Sequence, residues 1–566
     1  MVKRNEALTL SIILALAILI IRYPNVAEWN LGDNDNFMRL HQIKTFIDKP
    51  SWYLHPLKDF NPQDGQIIHW SRIPDLPILA AYYVTYLFLD ETTAMQIAIT
   101  IVPLIYLILL SLVLCKITKS IFELNQPVLA TTYTFFSVAS LKFLPGHIDH
   151  HNLQILLFAV FILLTFSKDF DNKLNLSASA LCIAISLSIG LEALPFYILT
   201  LGCLALYALY CDLHKLTYIR NLSFLTFLFG ALIVAIFQKP SVWFHPQYDV
   251  LTFPLLCFFL SASASLEFTL LRPKLITLLI SATIIIGVTW MIFPDVLKSP
   301  YANYPEVLVI YWLNHVSEAR PLVTILSEES NLPSNWLYIV TIIPAIFSIF
   351  FLSSFKTRIY YLVFLISLTP AVFWQIRTIL FSSMLSVPLI TIIGKELFHK
   401  INIPIVRVII PLLLAPILTA GAISFVTKSE TNNTFRNNNK KNETIFETIN
   451  TLNIKNKKIF ASLDQSTRII ALTNNMIITA PYHRNIRGNK FYIESMLSIA
   501  DENLHLNFQS EKVDFLVFDR KDTQIKYIKK EAKGNSLLTL LLESKPPPWL
   551  SLIKENDKDT YIYAIK

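Results

Sequence analysis

Two short stretches of the sequence combine carboxylate and imidazole side chains, the residue types that hold metal ions in enzymes. The first is Asp33-Asn34-Asp35, in which two carboxylates stand two residues apart in a polar loop. Oxygen ligands at this spacing can converge on a hard divalent cation. The same residues also fit a solvated loop that caps a helix, because Asp is common at N-caps and Phe37–Ile47 has a helical pattern. The residues alone leave both interpretations open.

The second stretch is Asp149-His150-His151, which stands where an apolar segment begins. Ionisable groups are costly at such a position and tend to be functional. Asp149 and His151 are two residues apart and could share one metal ion. An N-cap with histidines at the membrane interface explains these residues equally well.

Three further polar side chains stand in a long loop or at the ends of apolar segments. Glu318 belongs to the loop 293–335, and a long loop in an otherwise short-looped chain tends to be functional. On composition alone, however, it is an ordinary loop acid. Glu192 and Arg377 each stand at the edge of an apolar segment, where an arginine suits two-pronged binding of phosphate oxygens. Alternatively, these two residues pair with each other or extend to lipid headgroups.

The composition excludes a soluble protein. Apolar residues make up 54% of the 566 residues and charged residues only 16%, too few to cover a soluble surface. The net charge of +8 comes from Lys and Arg in short loops between apolar segments and in the C-terminal region. This distribution fits membrane topology and anionic headgroups better than nucleic-acid binding. The five cysteines have no metal-ligand spacing, so neither a disulfide framework nor a zinc site is expected.

Apolar segments near spanning length recur from Ala7 to Val426, and the first is interpreted as an uncleaved span. The segment 77–89 is too short to cross comfortably and is expected to lie on the outer surface. About 13 spans then remain, and the Lys- and Arg-rich loops all fall on the cytoplasmic side. The loops 23–94 and 293–335, the polar motifs and the C-terminal region fall on the opposite side.

The composition changes sharply after Val426. Residues 428–442 are rich in Asn, Lys and Thr and predict a flexible linker. Residues 443–566 alternate short apolar runs with polar turns, which predicts a small α/β domain outside the membrane. The expected organisation is thus a polytopic α-helical membrane domain over 1–427, the linker, and a C-terminal domain over 443–566.

Taken in this order and topology, the motifs resemble those of the catalytic subunit of oligosaccharyltransferases, membrane glycosyltransferases of the GT-C class. Asp33 or Asp35, followed by Arg39, matches the first acidic motif of that family. Asp149-His150-His151 is similar to the Asp-His-His form of the second motif in archaeal members.

The resemblance extends to the long loop and to the architecture. Val316-Ser317-Glu318, with Pro321, resembles the Ser-Val-Ser-Glu motif of the family. Arg377 falls where members place an arginine that binds the lipid pyrophosphate. Members also share about 13 spans, large first and fifth outer loops, and a C-terminal domain outside the membrane.

The resemblance implies a GT-C fold and transfer of a glycan from a polyprenyl (pyro)phosphate donor to an acceptor. The reaction would take place on the periplasmic face of a bacterial inner membrane, where the C-terminal domain also lies. The expected cofactor is Mg²⁺ or Mn²⁺, held by Asp33, Asp35, Asp149, His151 and Glu318. The residues expected to contact substrate are Arg39, Arg377, Glu192, His150 and Asp464. Expected partners are the lipid-linked donor, membrane lipids and a protein or glycan acceptor, and no nucleic acid.

One departure from the family concerns the acceptor. The Trp-Trp-Asp motif that recognises the acceptor sequon is absent, and the segment at similar spacing, Phe460–Asp464, keeps only the Asp. An alternative is therefore a polyprenyl-phosphate-sugar glycosyltransferase that modifies a lipid or a cell-envelope glycan. A transporter or flippase is disfavoured, because transporters usually carry such charges mid-membrane and often contain repeats, whereas these charges cluster at one face.

Overall fold

The chain folds into two compact units, each assembled from separate stretches of the sequence. The computed structural model describes residues 2–61, 65–295, 304–328, 335–431, 444–556 and 559–566. The first unit, here the helical unit, comprises Met1–Leu31, Trp70–Leu297 and Arg320–Asn433. The second, here the sheet unit, comprises Gly32–His69, Lys298–Ala319 and Thr434–Lys566. The division differs from a single boundary near residue 427, because two earlier segments belong with the C-terminal residues.

The α-helices follow one another along the chain with short connections. Up to residue 292 they are α1 (Val2–Ala27), α2 (Asn34–Asp48), α3 (Asp75–Tyr86), α4 (Glu91–Phe122), α5 (Pro127–Phe135), α6 (His151–Thr165), α7 (Lys173–Ile189), α8 (Leu194–Cys211), α9 (His214–Phe237), α10 (Phe253–Leu271) and α11 (Leu275–Ile292). Between residues 304 and 431 they are α12 (Glu306–Tyr311), α13 (Leu322–Glu328), α14 (Asn335–Phe347), α15 (Phe355–Phe373), α16 (Ile379–Lys400), α17 (Pro404–Leu412) and α18 (Pro416–Thr431).

The C-terminal residues contain both helices and strands. The helices are α19 (Ile445–Thr451), α20 (Leu463–Leu472), α21 (Ile486–Leu497), α22 (Glu502–Ser510), α23 (Thr523–Ile528) and α24 (Leu537–Leu542). The strands are β1 (Lys458–Phe460), β2 (Met476–Ile477), β3 (Phe515–Asp519), β4 (Leu550–Asn556) and β5 (Thr560–Ile565). Of the predicted linker 428–442, residues 428–431 complete α18, and the remainder lies outside the described residues.

Among the described residues, seven helices are long and apolar enough to cross a membrane: Asn5–Ala27, Glu91–Phe122, Leu191–Cys211, His214–Phe237, Phe253–Leu271, Leu275–Ile292 and Ile376–Lys400. The helices α17 and α18, bent by 102° at a short break, would form an eighth span together. Shorter apolar helices cover His151–Thr165, Lys173–Ile189 and Asn335–Phe351. The prediction of a multi-pass helical membrane protein is confirmed, and the count of about 13 spans stays a prediction.

Two of the predicted apolar segments form short helices rather than full spans. The segment 77–89 lies mostly in the 12-residue helix α3, which is about 18 Å long and too short for a hydrocarbon core. Residues 126–144, one of the recurring apolar segments between Ala7 and Val426, form α5 and a 3₁₀ helix, Ala139–Phe143, instead of one continuous helix. The buried Ser140 hydroxyl donates to the Phe135 and Ser137 carbonyls at this break. A polar side chain thereby satisfies backbone groups that the interrupted helix leaves open.

One aromatic cluster holds together the helices that start beside the polar motifs. The Phe196 and Phe381 rings stack with centroids 4.3 Å apart, and the Phe158 ring lies 5.5 Å from Phe381 and 5.2 Å from Tyr197. These residues belong to α6, α8 and α16, whose first turns follow the Asp149, Glu192 and Arg377 segments. Such packing fixes the direction of each helix, and therefore the position of the polar residues that precede it.

The sheet unit is built around a five-stranded mixed sheet in the order β2-β1-β3-β5-β4. Strand β1 runs parallel to β2 and β3, and β5 runs antiparallel to β3 and β4. The prediction of a small C-terminal α/β domain is confirmed. The early segment Gly32–His69 joins this sheet, because the Asn61 N–H donates to the Ile477 carbonyl at 2.7 Å and the Ile477 N–H donates to Asp59 at 2.8 Å.

Gly488, in α21, packs so closely on the backbone after β2 that a Cβ atom would overlap the Ile478 carbonyl oxygen. Gly488→Ala is therefore expected to destabilise the sheet unit by about 1–3 kcal/mol or more, because backbone rather than a flexible side chain must move. The measurement is thermal unfolding of the purified full chain, in which the protease resistance of residues 444–566 is monitored as the temperature rises. Gly534→Ala is the matched control, since nothing lies within 4 Å of the point that its Cβ would occupy. Equal midpoints for the two variants would contradict this packing.

Candidate active site

The Asp149 motif is preceded by a turn that only glycine makes easily. Gly146 has a φ of +85°, and its N–H donates to the Ile99 carbonyl at 3.1 Å. A Cβ at this position would lie 3.1 Å from the Leu31 side chain and 3.3 Å from Val26. The turn is thus pressed against its neighbours, and it directs the following residues into the first turn of α6.

Asp149 lies between two imidazoles in the interior of the helical unit. Its Oδ1 accepts the His150 backbone N–H at 2.7 Å and lies 2.6 Å from His150 Nδ1. Its Oδ2 lies 3.3 Å from His151 Nε2. Asp149 is 3% exposed, His150 4% and His151 8%, so this is an interior ionic cluster rather than a solvated cap. The structure therefore brings Asp149 and His151 together, and their shared metal ion stays a prediction.

The charges of this cluster support one another. Burial raises the pKa of Asp149, but the His150 and His151 imidazoles lower it by a larger amount. The pKa of Asp149 therefore lies well below its usual range. Burial lowers the pKa of His150, but the Asp149 carboxylate and Glu192 raise it, giving a pKa of about 10. At neutral pH the pair is thus a carboxylate and an imidazolium.

Glu192 lies on the other side of the His150 ring. Its Oε1 is 3.7 Å from His150 Nε2, and it belongs to the 3₁₀ helix Leu191–Ala193. A Cβ on Gly190 would overlap the Glu192 carboxylate, and the Gly190 carbonyl accepts from Gln154 Nε2 at 2.8 Å. The structure thus joins Glu192 and His150 to each other, and their predicted contact with substrate stays a prediction.

Arg377 lies in the 3₁₀ helix Ile376–Thr378, half-buried just before α16. Its Nε donates to the Gln375 side chain at 2.8 Å, and the Ile376 N–H donates to the Arg320 carbonyl at 2.8 Å. No carboxylate of the described residues lies within 4 Å of its guanidinium, but the Arg377 charge acts on the Glu192 carboxylate at longer range, so the two residues interact without direct contact. A cation at this position suits the predicted phosphate-binding role.

The first acidic motif belongs to the sheet unit. Asp33 caps α2, accepting the Asp35 N–H at 3.4 Å, as the helix-cap interpretation predicted. Asn34 donates to Asp464 Oδ1 at 2.7 Å and accepts from the Thr467 hydroxyl at 3.0 Å. Two residues of α20 thereby hold the loop through its central Asn. Metal binding by Asp33 or Asp35 stays a prediction.

The remaining predicted residues of the sheet unit differ in burial. Arg39 is fully buried, and Glu318 is half-buried in the 3₁₀ helix Ser317–Ala319. The pKa of Asp464 is raised overall. Burial and the Asp33 carboxylate raise it, and the Asn34 hydrogen bond only partly offsets them. The predicted ligands thus belong to both units, and their gathering around one ion is still a prediction.

Sequence reasoning missed the partners that position these residues. The contact between Asn34 and Asp464 joins positions 430 residues apart, which no local pattern reveals. The Trp70 ring lies 6.0 Å from the His150 ring, a contact between positions 80 residues apart that no local pattern reveals. The one available signal was Asn34 itself, an amide between two acids in a polar loop.

The Asp149 cluster has the donors of a metal site. Candidate ligand atoms of Asp149, His150 and His151 all lie within 4.8 Å of one another in a buried position. Because an imidazolium cannot bind a metal, Asp149 and His151 can supply the ligands while His150 is protonated. A mixed oxygen and nitrogen donor set suits Mn²⁺ or Zn²⁺, whereas Mg²⁺ prefers oxygen donors alone. The residues present therefore fit a divalent metal ion.

A second group of carboxylates lies beside Asp464, where β1 and β3 end. The Ser462 hydroxyl donates to Asp522 Oδ2, and Asp522 Oδ1 accepts the Gln524 N–H at 2.8 Å. Burial raises the pKa of Asp522, these hydrogen bonds lower it, and the Asp464 and Asp519 carboxylates raise it, giving a pKa of about 6. The folded sheet unit therefore holds a proton that the unfolded chain, with an ordinary pKa of 3.8, releases more readily.

Asp522→Asn is expected to stabilise the sheet unit more at pH 7 than at pH 4.5. The wild-type pKa is raised on folding, so the stability linked to this proton is present below pH 3.8 and lost as the pH rises through about 6. The amide keeps the acceptor for the Gln524 N–H and carries no charge. Thermal unfolding of both proteins at the two pH values measures the effect. Asp501→Asn, at the exposed N-cap of α22, is the control, and the same pH dependence in both variants would refute the assignment.

No family model and no curated protein matches the sequence, but solved structures do. The Archaeoglobus fulgidus oligosaccharyltransferase in the apo form is similar at a TM-score of 0.61 and 14% identity, covering 100% of this chain and 74% of that one. AglB of that archaeon, in complex with an inhibitory peptide and a dolichol-phosphate, gives 0.59 and 15%, covering 98% and 74%. A complex of the A. fulgidus enzyme with Zn and sulfate gives 0.56 and 15%, covering 99% and 73%.

At such low sequence identity, the structural similarity establishes the fold alone. It does so over nearly the whole chain. The helical unit with its polar cluster before α6 and the sheet unit with its C-terminal sheet both fall within the matched residues. The protein therefore has the polytopic membrane fold of the archaeal oligosaccharyltransferases.

Proposed function

We propose that the protein is a membrane glycosyltransferase that transfers a glycan from a polyprenyl (pyro)phosphate to an acceptor. The observation that carries this proposal is the buried Asp149 carboxylate between the His150 and His151 imidazoles. It lies within a fold similar to an enzyme that was solved with a peptide and a dolichol-phosphate, and also with Zn and sulfate. We place the protein in a bacterial inner membrane, with this cluster and the sheet unit on the periplasmic side.

Asp149 and His151 would hold a divalent metal ion, for which we propose Mn²⁺; Mg²⁺, the other ion that the resemblance implies, fits an imidazole ligand less well. When bound, the ion supplies Lewis-acid polarisation of the acceptor and charge stabilisation. His150 occupies Asp149 Oδ1 twice, through its backbone N–H and its ring, and thereby directs Oδ2 toward His151. Glu192, on the far side of the ring, holds the His150 imidazolium in this orientation.

Arg377 would neutralise the charge that develops on the leaving phosphate. Its guanidinium donates to the Gln375 amide and interacts with the Glu192 carboxylate only at longer range, so N–H donors remain for an incoming anion. A lipid-linked phosphate is already a good leaving group, so no covalent intermediate on the enzyme is needed. The prediction that Asp33 or Asp35 and Glu318 complete the ligand set remains part of this proposal.

Asp149→Ala and His151→Ala are expected to reduce metal binding and glycan transfer at least about 100-fold, because each removes a proposed ligand. The measurements are metal content of the purified protein and transfer from a polyprenyl-pyrophosphate-linked glycan. Asp149→Asn keeps the side-chain volume and tests whether loss of charge suffices. Asp171→Ala, an exposed acid after α6, is the control. A folded Asp149→Ala protein that transfers at a near wild-type rate would end the metal-site proposal.

A saccharide acceptor is favoured over a sequon peptide by one feature of the sheet unit. Ser462 and Leu463, which directly precede Asp464 where the family has its Trp pair, are both buried, and the Ser462 hydroxyl donates to Asp522 Oδ2. Asp464, the one retained residue, accepts the Asn34 amide. These residues are engaged in packing and in holding the first motif, which favours an acceptor other than a sequon peptide.

Transfer assays with both acceptor classes separate these possibilities. With a lipid-linked donor, we expect label to appear in glycan or lipid-linked saccharide acceptors rather than in an Asn-X-Thr peptide. The matched control peptide replaces Thr by Ala, which removes the sequon while keeping length and charge. Sequon-dependent labelling of the peptide, with none in the saccharides, would assign the protein to protein glycosylation instead.

A further inference from the structure

The helical unit has a second polar region at the end remote from Asp149. Helix α6 starts next to Asp149 and ends at Thr165, 15 residues or about 22 Å later. Helix α15 runs the other way, from Phe355 to its end beside Arg377. The residues that follow α6 and those that precede α15 therefore share the end of the unit opposite to the candidate active site.

A cavity of about 420 Å³ lies at this end, here called the lysine cavity. Three lysines from three different connections line it: Lys168 after α6, Lys215 at the start of α9 and Lys356 at the start of α15. Apolar side chains, among them Leu204 and Tyr207, form another part of its wall. The cavity thus combines cations with a surface suited to hydrocarbon.

Lys215 is nearly buried, with an exposed fraction of 8%. Its ammonium donates to the Thr165 carbonyl at 2.8 Å and lies 3.0 Å from the centre of the Phe170 ring. The Lys356 ammonium donates to the Ser120 carbonyl at 3.4 Å. The two carbonyls and the Phe170 ring carry no net charge, so none of them is an anion that compensates the Lys215 or Lys356 ammonium.

Both lysines occupy the first turn of a helix, where the positive end of the helix dipole disfavours a cation. The cavity wall also contains Glu123 and Asp212, but no carboxylate in the described part of the chain lies within 4 Å of any of the three ammonium groups. Asp171, outside the wall, also acts electrostatically on Lys215, so the nearby carboxylates match the lysines in number but none is in direct contact with them. Buried charges are normally paired, which indicates a missing anion.

Two serines with buried hydroxyl oxygens, Ser120 and Ser167, belong to the same wall. The Ser120 and Ser167 oxygens have no hydrogen-bond partner among the described residues. Hydroxyl and ammonium donors together match the several acceptor oxygens of a phosphate group.

We propose that the lysine cavity binds a phosphate group, with the headgroup of an anionic phospholipid as its source. The apolar wall favours a lipid over free phosphate, because it offers a surface to the glycerol and upper acyl chain. The position at the end of apolar helices is where headgroups lie, and clustered lysines attract anionic lipids there. This proposal is independent of the glycosyltransferase proposal and concerns the opposite end of the helical unit.

The test is thermal unfolding of the detergent-purified full chain with added short-chain phosphatidylglycerol, short-chain phosphatidylcholine, or inorganic phosphate at matched ionic strength. The expected result is a rise in midpoint with phosphatidylglycerol only, because a ligand that binds the folded state stabilises it. The double variant Lys168→Gln/Lys356→Gln should require about tenfold more lipid for the same rise, or lose it. It leaves the buried Lys215 in place, so folding is spared.

Lys116→Gln/Lys173→Gln is the matched control, since it removes two exposed lysines that do not line the cavity. It should respond to phosphatidylglycerol as the wild type does. A rise of equal size with inorganic phosphate alone, lost in the Lys168/Lys356 variant, would keep the phosphate site and replace the lipid as its source. The proposal would be overturned if the two double variants responded equally. It would also be overturned if the wild type responded to neither phosphatidylglycerol nor inorganic phosphate.

Discussion

The central constraint on this protein is an ionised carboxylate held inside an apolar helical unit. Transferring a lone carboxylate out of water is prohibitive unless cations and hydrogen bonds surround it. Asp149 meets this requirement with two neighbours in sequence, the His150 imidazolium and the His151 ring. Glu192 then compensates His150 from the other side, so the cluster forms a chain of alternating charge. The turn at Gly146 and the aromatic packing of α6, α8 and α16 keep its members within reach of one another.

Backbone hydrogen bonding imposes a second constraint, since a membrane interior offers no water to an interrupted helix. The chain nevertheless breaks its helices in several places, at residues 136–138 and between α17 and α18 among them. At the first break the Ser140 hydroxyl satisfies two carbonyls. Ser140 at this break is thus structural, in contrast to the Asp149 cluster, where candidate metal-ligand atoms of different residues face one another.

Hydropathy and local motifs predicted much of this fold. Apolar segments became helices because their composition allows little else in a membrane, and the alternating pattern after residue 443 became a sheet with flanking helices. The pairing of Asp149 with His151 followed from a spacing of two residues. Other features depend on partners that are distant in sequence. Asn34 contacts Asp464, and Glu192 contacts His150, only because of tertiary packing, and the same holds for the joining of Gly32–His69 with the C-terminal sheet.

The composite origin of the sheet unit has a consequence for biosynthesis. The Asp59–Asn61 backbone pairs with Ile477, roughly 400 residues later, and at about 5–20 residues per second that partner leaves the ribosome some 20–80 s afterwards. Until then the N-terminal segment has no strand beside it and Asn34 has no α20 to bind. A chain whose translation stops between α18 and α20 would therefore contain the preceding helices but would leave the first acidic loop without its partners. Such an aborted product cannot assemble this motif.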